Sequence, residues 1–148
     1  MIGTRSPVFA GACLCGDVQW ASSDGPRLQF NCYCIDCRKS TGAAFVPIMF
    51  FKAEHVEISG RLTRFTSPGG SGHAIHRAFC SRCGSQVAAE IALMPGWISI
   101  RAGTLADINL FAPKASLFVS QAADWSPPRD DLPCFEQLPP SRPTPDAR

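Results

Sequence analysis

Apolar and polar residues alternate along most of this chain, and no long helical stripe interrupts them. In "DVQWAS" Val18 and Trp20 fall on one side of an extended segment, and in "EHVEISG" Val56 and Ile58 do the same. The runs "AFVPIMFF", "RLTRF" and "WISIRAG" add β-branched and aromatic residues over strand-length stretches. Turn signals separate them: "SDGP" at 23–26, "SPGGSGH" at 67–73 and "MPGW" at 94–97. The best helical segment is the short "IDCRKSTG", with Asp36 near its start, Arg38 and Lys39 further along, and Gly42 as a stop. The pattern predicts a mainly β, mostly antiparallel domain with one short helix or turn and no internal repeat.

Phe45, Phe50, Phe51, Phe79, Trp20 and Trp97 sit in or beside these runs and are expected in the core. From Pro113 onward prolines crowd the sequence. "WSPPRDDLPCFEQL" reads as extended chain laid over the domain, with Trp125, Leu132 and Phe135 as anchors. The polar "LPPSRPTPDAR" lacks apolar periodicity, so 138–148 is expected to be a disordered Pro-rich tail and 1–137 a single domain.

Composition changes the picture in three places. A length of 148 residues suits one domain with a sizeable core. No segment approaches the roughly 18 apolar residues of a membrane span, and "PVFAGA" is shorter than the roughly 7–15-residue apolar core of a signal peptide. Neither a membrane nor an export role is expected. Eight cysteines, bunched in C-x-C and C-x-x-C pairs, are typical of metal sites in a reducing compartment rather than of a secreted disulfide scaffold, which points to the cytoplasm. The formal charge is +2. Seven thiolates holding two zinc ions would add about −3 and bring the total to about −1. Net charge therefore gives nucleic-acid binding no support.

Seven cysteines form three groups: Cys13/Cys15, Cys32/Cys34/Cys37 and Cys80/Cys83. "CLCG" and "CSRCG" each place a glycine, Gly16 and Gly84, directly after the second cysteine. Metal-binding knuckles turn backbone N–H groups toward the thiolates, and glycine accepts the positive φ this often requires. The two glycine-tipped pairs thus read as halves of one closed four-thiolate site. The alternative joins Cys34 and Cys37 to Cys80 and Cys83 as a zinc ribbon.

The triplet differs in kind. In extended chain Cys32 and Cys34 point to one face and Cys37 returns from the following turn, so the three can cover three corners of a tetrahedron. Three protein ligands with an exchangeable fourth is the arrangement of catalytic zinc. One Zn(II) on three thiolates carries a net charge of about −1, which makes a poor hydroxide generator but a good seat for a substrate thiol. Addition or elimination at sulfur is the chemistry to expect. Two other readings stay open: a fourth ligand from Cys134, His73 or His76 would close the site, and Cys34/Cys37 could form a redox relay.

With "GACLCG", the block from Cys32 through Phe45 in "CYCIDCRKSTGAAF", "FCSRCG", "GTL" before Asp107, and "WSPPRDDLPCF", the chain resembles the glutathione-dependent formaldehyde-activating enzyme family, which includes centromere protein V-like proteins. The likeness runs from about Gly11 to about Phe135. It implies a zinc-bound β-tent fold with two zinc ions per chain: a structural zinc on Cys13, Cys15, Cys80 and Cys83, and a labile catalytic zinc on Cys32, Cys34 and Cys37. It also implies a carbon–sulfur lyase that forms or breaks S-hydroxymethylglutathione from glutathione and formaldehyde, with a small-molecule thiol such as glutathione as partner. Two positions depart from the family pattern: Tyr33 stands where many members carry His, and Ser116 where a His often precedes the late strand.

Glutathione is anionic, so Arg38, Lys39, Arg77 and Arg82 are candidates to meet its carboxylates. Thr41 and Gly42 shape the turn after the triplet. His73 and His76, beside the Gly-rich loop, read as exposed loop residues, and Cys134 as a free thiol. The competing functions are a non-catalytic zinc-binding interaction module and a thiol oxidoreductase with Cys134 as nucleophile. The sequence leaves the oligomeric state open.

Overall fold

Alternation sorts the chain into two sheets. The structure is a computed structural model and describes residues 9–139. Residues 140–148 of the expected tail lie outside the described residues. In chain order the elements are β1 (Phe9–Ala12), β2 (Gln19–Ser22), β3 (Leu28–Cys32), α1 (Ile35–Thr41), β4 (Val46–Lys52), β5 (Val56–Ser59), β6 (Leu62–Pro68), β7 (Ala74–Cys80), β8 (Gln86–Ile91), β9 (Trp97–Arg101), β10 (Ser116–Leu117) and β11 (Cys134–Phe135). A small antiparallel sheet runs β1-β2-β5, and a large one runs β11-β10-β3-β4-β9-β8-β7-β6. The large sheet is antiparallel from β3 to β6, while β10 pairs in parallel with both β3 and β11. The fold is mainly β with one short helix.

Strands β4 and β9 are buried on both faces, and β4 is apolar on both because both are covered. Met49, Phe51, Ile98 and Ile100 point into the main core with Phe9 and Trp20 of the small sheet and Ala78 and Cys80 of β7. Val46, Ile48, Phe50 and Trp97 point the other way, into a second cluster that holds Cys32 and Cys37. The first core joins the two sheets. The second lies on the opposite face of the large sheet, where α1 packs beside β4.

The five strand-like runs, the three turns and the helix all occur where the sequence places them. The pattern does not mark β1, β3, β7, β8 or β10. In β7 the buried Arg77 breaks the apolar alternation, and two of the six residues of β8 (QVAAEI) are alanines. Trp20, Phe50, Phe51 and Trp97 are buried, whereas Phe45 and Phe79 are only half-buried. Trp125 is a correction: it is 78% exposed and anchors nothing, while Leu132 and Phe135 are half-buried and Phe135 closes the parallel edge in β11. His76 lies within β7, not in the loop.

Candidate metal centres

The first centre is assembled from distant turns. Cys13 follows β1, Cys80 ends β7, and Cys15 and Cys83 lie in the tight turns after them. The four sulfurs lie within 4.8 Å of one another. Cys13 Sγ is 3.6 Å from Cys15 Sγ, which is 3.8 Å from Cys80 Sγ. A tetrahedral zinc with sulfurs at about 2.3 Å sets neighbouring sulfurs about 3.8 Å apart, so this donor set fits that ion. Backbone N–H groups already turn inward: Val18 donates to Cys13 Sγ at 3.2 Å, and Arg82 and Cys83 to Cys80 Sγ at 3.4 and 3.5 Å. Gly16 and Gly84 make the turns possible with φ of 83° and 78°, the left-handed region. The Ser85 hydroxyl, then the Ser85 backbone N–H, pull the Cys83 thiol down to about 5. Against the pull of the Asp17 backbone N–H, desolvation and the Cys13 and Cys83 sulfurs push Cys15 up to about 11.

The second centre is local. Cys32 is the last residue of β3, Cys34 is the N-cap of α1 and Cys37 lies in its first turn. Their sulfurs also lie within 4.8 Å of one another. The Cys37 N–H donates to Cys34 Sγ at 3.3 Å, so capping the helix and aiming the sulfur are one interaction. Ile35 N–H donates to Gln121 Oε1 at 2.8 Å and pins the helix start to the turn at Val119–Gln121. At the other end Thr41 Oγ1 donates to the Cys37 carbonyl at 2.7 Å and accepts from the Ala43 N–H, as its expected turn-shaping role requires. Hydrogen bonds from the Cys32 and Cys37 thiols, against the cost of burial, draw Cys34 down to about 2. The bond to Cys34 is also the largest influence raising Cys32. Cys37 is pushed up to about 11: its contact with Cys32 favours the thiolate, and Cys34 and burial outweigh that. Within the triplet, the contacts thus favour negative charge on Cys34 over Cys32 and Cys37.

Among the described residues, no further Cys, His, Asp or Glu joins the three sulfurs. Cys32 and Cys37 are buried and Cys34 is half-buried, so the cluster reaches solvent on the Cys34 side. The three suggested fourth ligands lie elsewhere. His73 is exposed, His76 Nδ1 sits 2.8 Å from Thr66 Oγ1, and Cys134 is exposed on β11 with its thiol directed at the Arg129 and Leu132 carbonyls. The ribbon grouping of Cys34/Cys37 with Cys80/Cys83 is likewise not the one the fold makes. A redox relay loses its setting, because α1 joins the antiparallel neighbours β3 and β4. A hollow of about 920 Å³ on the small sheet, lined by residues from Ala10 to Ala106, contains neither cluster.

The two positions that depart from the family pattern are neighbours in space. Tyr33 N–H donates to the Leu117 carbonyl at 3.0 Å, Ser116 pairs with Asn31, and both Tyr33 and Ser116 are fully buried. Tyr33 stacks on Phe45 with centroids 5.0 Å apart. Of the candidate cations, Lys39 and Arg82 are exposed, Arg38 is half-buried and Arg77 is buried. Sequence reasoning missed Arg101, which ends β9 and is also buried. The signal was present: Trp97, Ser99 and Arg101 alternate with Ile98 and Ile100, so one face of β9 ends in a charge.

A family model described as glutathione-dependent formaldehyde-activating enzyme matches residues 8–121. Among solved structures, the crystal structure of a Rhodobacter sphaeroides protein is similar at a TM-score of 0.50 and 20% identity, over 66% of this chain and 88% of its own. That likeness speaks to the fold alone. No curated protein matches the chain by sequence.

Proposed function

The chain belongs to the glutathione-dependent formaldehyde-activating enzyme family, and from that premise we propose that it is a zinc-dependent carbon–sulfur lyase acting on a thiol–aldehyde adduct. Its closest chemistry is formation of S-hydroxymethylglutathione from glutathione and formaldehyde. In this reading Cys13, Cys15, Cys80 and Cys83 hold a structural zinc, and Cys32, Cys34 and Cys37 hold a labile one. The observation that carries the reading is the triplet: three sulfurs within reach of one ion, no fourth side-chain ligand among the described residues, and a solvent-facing side at Cys34. When bound, the second zinc supplies a thiophilic Lewis acid that favours the deprotonated form of a visiting thiol.

The chain's own residues do the rest. Cys32 and Cys37, buried, fix two corners of the site, and the capped start of α1 fixes Cys34 as the third. Packing of Val46, Ile48, Phe50 and Trp97 keeps water from the back of the cluster. In the reaction the thiol sulfur bonds to the aldehyde carbon and the thiol proton ends on the former carbonyl oxygen; the reverse restores both partners. A single domain over 1–137 in a reducing, cytoplasmic setting accords with eight free cysteines and, among the described residues, no helix long and apolar enough to cross a membrane.

Exchange between labelled formaldehyde and its glutathione adduct, followed by NMR with and without the protein, tests the activity. Faster exchange that is abolished in the Cys34→Ser variant is expected. Identical exchange with parent and variant would defeat the proposal. A second reading, a zinc-binding interaction module, draws on Leu14, Phe65 and Trp125, large apolar side chains at 90%, 61% and 78% exposure. It predicts two tightly held ions and no exchange.

A further inference from the structure

Among the described residues only two charged side chains are buried, and both are arginines: Arg77 at 5% and Arg101 at 6% exposure. Burying a charge costs heavily unless an opposite charge accompanies it. Neither guanidinium forms an ion pair with a described carboxylate. Arg77 reaches Ser67 Oγ at 2.9 Å through one terminal nitrogen, and its Nε is buried without a partner. Arg101 reaches Gln86 Oε1 at 2.7 Å and Ser99 Oγ at 3.2 Å. All of these partners are neutral.

The sheet register puts both arginines on the triplet's side. Ala78 and Cys80 of β7, and Ile98 and Ile100 of β9, point into the core between the sheets. Arg77, Ser99 and Arg101 alternate with them and so face the other way, the face on which Trp97 packs in one cluster with Cys32 and Cys37. Arg77 pairs with Ala89, which pairs with Ser99. At about 4.8 Å per strand this sets the Arg77 backbone about 10 Å from the Ser99 backbone, within the span of two converging arginines. Arg101 is tied to the triplet's own helix as well. Gln86, which accepts from Arg101, donates to the Ser40 carbonyl at 3.3 Å, and Ser40 Oγ donates to the Cys37 carbonyl at 3.2 Å. Burial lowers the Arg101 pKa, negative charge on the triplet's sulfurs, Cys37 first, works to raise it, and Arg77 works to lower it.

The negative charges that act on Arg101 are the triplet's sulfurs, and Arg77 acts on Arg101 in turn. Three thiolates with one Zn(II) sum to about −1, which leaves one guanidinium uncompensated, and a fourth thiolate takes the sum to about −2. We propose that Arg101 and Arg77 are a built-in counter-charge that lets the open position of the triplet take its fourth ligand as an anionic sulfur, whatever else the thiol carries. This rests on the zinc–thiol reading given above and adds to it two residues that set which ligand is accepted.

Cobalt(II) in place of zinc gives a readout independent of turnover, since a new sulfur ligand adds charge-transfer absorption. The parent, Arg101→Gln, Arg101→Lys and Arg77→Gln proteins are titrated with 2-mercaptoethanol, which is neutral, and with 3-mercaptopropionate, which carries a carboxylate. The parent binds both. Arg101→Gln weakens both by the same factor, about tenfold or more, Arg101→Lys recovers most of the loss, and Arg77→Gln weakens both by a smaller factor. Equal binding by parent and both glutamine variants overturns the inference and leaves the lyase reading standing. Loss confined to 3-mercaptopropionate also overturns it, in favour of a carboxylate subsite. Arg101→Lys behaving like Arg101→Gln overturns it in favour of a purely structural role. If Arg101→Gln does not fold, Arg77→Gln decides by the same criteria. Failure of the parent to bind either thiol sinks the zinc–thiol reading and this inference together.

Discussion

The two cysteine clusters use the same donor atom to different ends. The first gathers sulfurs sixty-five residues apart in sequence, from turns that flank both sheets, and completes its own tetrahedron. The second is contained in six residues, rides on the start of one helix and stops at three sulfurs. A closed, long-range cluster resists unfolding, because losing its ion frees the chain between its ends. An open, local cluster contributes little to the fold and can exchange a ligand without disturbing it. The surroundings follow the same division. Neutral backbone N–H groups serve the first cluster, whereas the second lies on the sheet face that buries two guanidiniums.

The largest expected effect breaks the first cluster. Cys83→Ser forfeits most of a metal-binding free energy of about 10–16 kcal/mol, as large as a whole domain's stability. It is expected to abolish the cooperative thermal transition seen by circular dichroism. Next, Cys34→Ser removes one metal equivalent and lowers formaldehyde-adduct exchange by about a hundredfold or more. Its melting temperature shifts by only a few degrees, because serine also caps a helix. If the two variants melted alike, the contrast between the clusters would be lost.

A pH titration sharpens the contrast further. Contacts with its two neighbours draw Cys34 down, whereas Cys32 and Cys37 are raised above their ordinary range. Metal uptake at the triplet must expel about two protons, so its affinity rises with pH, by about a hundredfold per unit near neutrality. Competition with a chromophoric chelator between pH 6 and 8 measures this slope, and a flat profile would contradict it.

Smallest are the glycine variants. Gly84→Ala and Gly42→Ala each place a Cβ in open space at φ of 78° and 75°, so only backbone strain counts. Each is expected to cost about 1 kcal/mol and about 3 °C in melting temperature. Only Gly42→Ala, at the end of the triplet's helix, is expected to alter adduct exchange.

Much of this was legible before any coordinates. Local signals carried the helix: Asp36 in the first turn, Arg38 and Lys39 further along and Gly42 as stop needed no distant contact to be read, whereas Cys34 as its cap emerged only in the structure. The glycines after Cys15 and Cys83 correctly separated the four-sulfur group from the triplet, because a positive φ is a backbone demand that shows in the residue type. What stayed hidden depended on long-range packing. Strand β7 was missed because Arg77 is buried on the face opposite Ala78 and Cys80, where a charge hides the apolar pattern. Arg101 was missed for the same reason, although its strand was found. Trp125 misled in the opposite sense: its size predicts burial, yet it stands 78% exposed. Where the pattern breaks at a buried charge, the break itself marks the sheet face on which Cys32 and Cys37 pack.

X-ray absorption at the zinc edge, before and after addition of glutathione, tests the central claim most directly. With both sites filled, the account predicts an average of about 3.5 sulfur ligands per zinc in the resting protein and about four once the thiol is added. Four sulfurs per zinc before any thiol is present, or an unchanged average after it, would contradict an open position at Cys32, Cys34 and Cys37.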